Sequence, residues 1–186
     1  MIGMTTCMRK NLERIDLMSI KLNLNILESL IYFWEASKSG EKVGEKYILS
    51  IADDEDMKLT YTKQFDKDSV RKVLSAISNR EKLRGNDKER KFWNNNMWMM
   101  DDLSFMRDMV KPVKTLAMKK INEDLDLKED YELIFLPLCD REKIIKDNKI
   151  ILNFFKVKLD PMDYKKVEYS NKPIYDYIEE VIENLR

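Results

Sequence analysis

Apolar residues along this chain recur first with a helical period and then, past residue 130, in short continuous runs. Leu24, Leu27, Leu30, Ile31 and Trp34 carry the i, i+3, i+4, i+7 spacing of one helix face, over about residues 24–37, and Gly40 supplies its C-cap. Tyr47, Ile48 and Ile51 mark a shorter helix near 45–52. The acidic run "DDED" (Asp53–Asp56) follows as a loop or cap, and a further short helix is expected over 57–65. Val70, Val73, Leu74 and Ile77 share a face of a helix capped by Asp66 or Asp68. Phe92, Asn96, Met99, Leu103, Met106 and Val110 fall at alternating four- and three-residue intervals. That seam predicts one long central helix over 88–110, ended by Lys111-Pro112 because proline restricts the residue before it. "VKTLAMKKI" (Val113–Ile121) adds one more helical segment.

After Asp130 the pattern changes. "YELIFLPL" and "KIILNFFKV" are rich in β-branched and aromatic residues and predict strands over 131–138 and 149–157. A third strand, 143–146, pairs through a tight hairpin at Asp147-Asn148, residue types that tolerate positive φ. A loop containing Pro161 then leads to a final helix over 173–185, with Ile174, Ile178, Val181 and Leu185 as its apolar face. The predicted class is α+β: a helical bundle (about residues 20–122), then a small antiparallel β-sheet and a C-terminal helix. Residues 1–17 precede the first periodicity and read as a mobile leader or an over-called start, since methionines stand at 1, 4, 8 and 18. Residues 18–186 read as a single domain, 18–122 its helical part and 131–186 its strands and terminal helix.

Composition then excludes more than it suggests. Lys+Arg and Asp+Glu number 34 each, so no chain-wide basic footprint points to nucleic acid. There is no histidine, which removes a Ser-His-Asp triad, a Cys-His pair, an HExxH zinc site and a Glu-x-x-His di-iron site from this chain's chemistry. Cys7 and Cys139 form no CxxC pair or disulfide framework, so a reducing cytoplasm is the expected compartment. Cys139, beside the cation Arg141, lacks a histidine partner, so a structural role is the simpler reading. Residues 1–25 have no signal-peptide pattern and no apolar run reaches 18 residues, so no membrane role is expected. The four glycines are scattered, which leaves no phosphate loop; no cofactor, metal site or catalytic residue is indicated.

One feature stands out. "FWNNNMWMMDD" (Phe92–Asp102) mixes aromatics and methionines with amides and carboxylates. On a helix, Arg90, Asn94, Asp101 and Asp108 form one polar stripe, flanked by Asn95, Asp102, Trp98 and Phe105. Two readings stay open: a solvated helix face, or a polar strip that orients a ligand between aromatic walls. In the second, Arg80, Arg84 and Arg90 meet an anionic group, Asn94, Asn95 and Asp101 orient it, and Trp93 and Trp98 supply apolar walls. The functional expectation is a non-enzymatic cytosolic protein that binds a partner protein or a small anionic ligand at this helix. The competing expectation is a hydrolase assisted by a metal held through Asp101 and Asp102.

The segments "LSAISNREKL" and "RKFWNNNMWMMDDL" together resemble the signature of a small family of uncharacterised bacterial proteins, over a span from about Ile20 through the final helix. That family has no assigned activity, so the resemblance implies no catalytic residue. The order of a helical part, "YELIFLPL", "NKIILNFFKV" and a further helix is also similar to the layout of predicted zinc peptidases. Their HExxH helix corresponds to "KPIYDYIEEVIENLR", which lacks both histidines, so this resemblance implies a decayed or shortened relative without that zinc site.

Overall fold

The computed structural model describes residues 18–124, 127–160 and 162–185; the stretch 1–17, expected to be a leader or an over-called start, lies outside them. The fold is α+β, as the periodicity predicts, with seven helices, two small sheets and a C-terminal helix. Strand β1 (Ile20–Asn23) comes first, followed by helices α1 (Asn25–Ser39), α2 (Glu45–Ala52), α3 (Glu55–Lys58), α4 (Lys67–Ser78), α5 (Asp87–Asp101), α6 (Leu103–Lys114) and α7 (Met118–Asp124). Strands β2 (Tyr131–Leu136), β3 (Lys143–Lys146) and β4 (Lys149–Asn153) complete the first sheet. A 3-10 turn (Phe154–Lys156) leads to β5 (Val157–Asp160), β6 (Asp163–Tyr169), β7 (Lys172–Pro173) and α8 (Ile174–Glu183).

The first sheet corrects one expectation. It is mixed, in the order β1-β2-β4-β3: β1, β2 and β4 run parallel, and only the β3–β4 hairpin is antiparallel. The smaller sheet, β5-β6-β7, is antiparallel and occupies the stretch expected to be a loop around Pro161. The continuous "LIFL" run explains the parallel arrangement, because Leu133, Ile134, Phe135 and Leu136 are buried on both faces of β2. β1 joins through main-chain pairing from Ile20↔Tyr131 onward. Asn122 on α7 closes its outer edge, accepting the Ile20 N–H at 2.7 Å and donating to the Ile20 carbonyl at 3.3 Å. The predicted hairpin turn is present, with Asp147 at φ 52°. Tyr169 links the two sheets: its hydroxyl accepts the Asn153 N–H at 2.8 Å and donates to the Glu142 carbonyl at 2.5 Å.

The long central helix is in fact two. Asp102 takes an extended conformation (φ −127°, ψ 95°), and its carboxylate accepts the N–H groups of Ser104 and Phe105, capping α6. The seam survives the break, since Phe92, Asn96, Met99, Met106 and Val110 are all buried. α6 also runs through Pro112 to Lys114. Pro112 stands two residues before the end of α6, so the helical bond that its missing N–H removes lies in the last turn, close to where the helix stops. The expected 57–65 helix is a single turn, α3, capped by Asp54. Among the described residues no helix is long and apolar enough to cross a membrane.

Candidate functional site

The residues of "FWNNNMWMMDD" divide between inside and outside. Phe92, Asn96, Met99 and Met100 face the core. Asn96 is fully buried: its carbonyl accepts the Trp34 indole N–H at 2.8 Å, and its amide donates to the Phe92 carbonyl at 2.7 Å. This pair joins α5 to α1 through the polar atoms of two otherwise apolar surfaces. Asn94, Trp98 and Asp101 are exposed, Asn95 and Trp93 half-buried. Trp98 is 53% exposed and meets Phe105 edge-to-face at 5.5 Å. The Trp93 indole N–H is buried without a hydrogen-bond partner among the described residues. Asp101 offers its main-chain carbonyl to Lys38, and the Asp102 carboxylate is engaged as the cap of α6. Arg90 is held locally by the Gly85 carbonyl and the Asp87 carboxylate.

Arg80 and Arg84 separate because α4 ends at Ser78 and Arg80 takes a left-handed conformation (φ 58°). The Arg80 guanidinium lies against Gly40, the left-handed C-cap of α1, where a Cβ would come within 3.0 Å of it. Arg84 goes elsewhere. The Glu81 N–H returns to the Ala76 carbonyl at 2.8 Å, which turns residues 81–84 back along α4. An open groove of about 560 Å³ results, with Lys82, Leu83 and Arg84 on one wall and Arg71, Lys72, Ser75 and Asn79 on the other. Of the eight residues picked from sequence, only Arg84 lines it.

The groove's chemistry is donor-rich. Four cations (Arg71, Lys72, Lys82, Arg84) face three carboxylates (Glu45, Asp68, Glu81). Arg71 pairs with Glu45 at 2.6 Å and Lys72 with Glu89 at 2.8 Å. Lys82 and Arg84 have no ion-pair partner among the described residues. The Ser75 hydroxyl is buried there without a hydrogen-bond partner among the described residues. Glu89, which pairs with Lys72 from outside the groove lining, forms a capping box with Asn86 and accepts from Ser69. Burial pushes its carboxyl up, but Lys72, the Asn86 N–H and Ser69 together outweigh this and hold it below the ordinary carboxylate range.

A second polar cluster escaped sequence reasoning. The Asn23 amide donates at 2.8 Å to both Asp56 and Glu132, while the Lys149 ammonium lies 2.5 Å from Asp56 and 3.3 Å from Glu132. The four residues come from β1, α3, β2 and β4. The hydrogen bond from Lys149 to Asp56 raises the Lys149 pKa against the opposing effect of burial. The only trace in the sequence is a charged residue at the head of each apolar run, Glu132 in "YELIFL" and Lys149 in "KIIL". Both carboxylates accept from the Asn23 amide and face the Lys149 ammonium, while the Asn23 side-chain carbonyl accepts the Asn25 N–H, so the cluster fastens α3 to the sheet and to the start of α1. Among the described residues no three Cys, Asp or Glu side chains converge to hold a metal ion. Cys139 is half-buried and its thiol is pushed up to about 12 by burial and by Asp140, which outweigh Lys88 and Lys91. It therefore stays protonated at neutral pH.

Comparison with family models, curated proteins and solved structures returned no match.

Proposed function

We propose that this protein binds a small phosphate-bearing anion in the groove between α4 and residues 81–84. The observation that carries this reading is the convergence there of Lys82 and Arg84, neither with an ion-pair partner among the described residues, beside the paired Arg71 and Lys72. A guanidinium presents a planar fork of donors matched to two phosphate oxygens, and an ammonium adds a compact charge. Asn79 contributes a neutral donor along the same wall. Glu89 supports the site by holding Lys72 and the start of α5 in place.

Isothermal titration with inorganic pyrophosphate tests this. Arg84→Ala is expected to weaken binding by about tenfold, the worth of one charge-assisted hydrogen-bond pair. Arg80→Ala, on the α1 side, leaves affinity unchanged. Both side chains are exposed, so stability stays within about 0.5 kcal/mol of the parent in each variant. Absence of heat with the parent chain, or equal affinity in the Arg84 variant, contradicts the assignment.

A further inference from the structure

We propose that the edge of β6 beside β7 receives an extended segment of a partner polypeptide in which apolar residues alternate with acidic ones. β6 spans seven residues, but β7 stands only against Glu168 and Tyr169, because the chain turns into α8 at Ile174. On that side Lys166 and Val167 have no strand beside them among the described residues. Tyr169 pairs with Lys172 across a two-residue turn in which Ser170 and Asn171 both have positive φ. Main-chain groups of alternate residues point to the same side of a strand, so Val167 presents its N–H and C=O to the open side.

Next to this edge lies an apolar groove of about 370 Å³, lined among others by Pro112, Leu116, Val167, Ile174 and Tyr175. Its rim is fixed: the Tyr175 hydroxyl accepts the Ala117 N–H at 2.8 Å, tying the start of α8 to the link between α6 and α7. A strand edge with an adjoining pocket suits strand addition, in which main-chain bonds give affinity and the pocket selects every second side chain. Charge complementarity points to acidic residues between the apolar ones. Lys166 is exposed and has no ion-pair partner among the described residues, and Lys120 holds its ammonium 5.8 Å from the Tyr175 ring centroid, against the single lining carboxylate of Glu168. The edge strand β3 of the first sheet contrasts with this one. Both strands carry lysines, but the cavity at Ile144 beside β3 holds only about 10 Å³, too little to seat a partner side chain.

The test is fluorescence anisotropy of the full chain against an array of labelled seven-residue peptides, with Val, Ile or Leu at alternate positions and Asp or Glu between. Binding by array members is expected, and methylating the alternate amides of the best binder should weaken it by about tenfold or more, as main-chain bonds are lost. Thr115→Trp fills the groove from an exposed position and is expected to weaken binding to the same extent. If a thermal melt shows that this variant does not fold, the methylated peptide decides alone. The proposal is overturned if no peptide in the array binds, if methylation leaves affinity unchanged, or if a folded Thr115→Trp chain binds as well as the parent.

Discussion

Replacing Trp34 with alanine is expected to lower the unfolding free energy by about 4 kcal/mol, within the range for truncating a fully buried aromatic side chain. Trp34 is completely inaccessible and stacks near Phe154 and Phe155, so its removal opens a cavity where α1 meets both α5 and the chain after β4. It also strips Asn96 of its indole donor, 2.8 Å away, deep in the core. Trp34→Phe keeps a six-membered ring but loses the N–H with the rest of the pyrrole ring, so it should cost about 2 kcal/mol, from the orphaned carbonyl and the smaller void together. Urea denaturation of the parent and both variants checks this. A loss below about 1 kcal/mol for the alanine variant would mean that α5 is not held by this contact.

The second large effect belongs to Lys149. Changing it to methionine leaves Asp56 and Glu132 facing each other with only the Asn23 amide between them. Removing one member of a buried ion pair costs about 3–5 kcal/mol; with Lys149 32% exposed, the expected loss at neutral pH is about 2 kcal/mol. The pH dependence has a definite sign. The Lys149 pKa is raised in the folded state by its bond to Asp56, so its stabilisation is complete below the ordinary lysine range and is lost as pH rises through the elevated folded value. The parent and Lys149→Met should therefore differ by a constant amount through neutral pH and converge in strong alkali. Denaturation midpoints measured across that range check the claim, and a difference that grows with alkali would contradict it.

Elements written in local pattern were legible. α1, α4, α8 and the β3–β4 turn each announce themselves within a dozen residues through apolar spacing, a cap or a turn pair. β1 did not, because four residues directly before a helix carry too little alternation, and their partner β2 lies more than a hundred residues away. The break at Asp102 was hidden for a different reason. The apolar seam continues in phase across it, and only the carboxylate's preference for the Ser104 and Phe105 N–H groups reveals a new helix start. The site divided in the same way. The sequence groups Arg84 with Arg80 around one anion, but Arg80 sits beyond the end of α4 in a left-handed conformation and only Arg84 lines the groove. Arg71 and Lys72 look from sequence like ordinary solvated residues of an amphipathic helix. They become groove walls only because residues 81–84 return along them.

Under the proposed function, anion recognition belongs to α4 and the segment after it and not to the outer face of α5. Amide chemical-shift mapping of the isotope-labelled chain during a pyrophosphate titration tests both halves at once. Saturable shifts at residues 71–84, with Asn94, Asn95, Trp98 and Asp101 unmoved, are the predicted result. Shifts centred on residues 90–101, or none at 71–84, would contradict it.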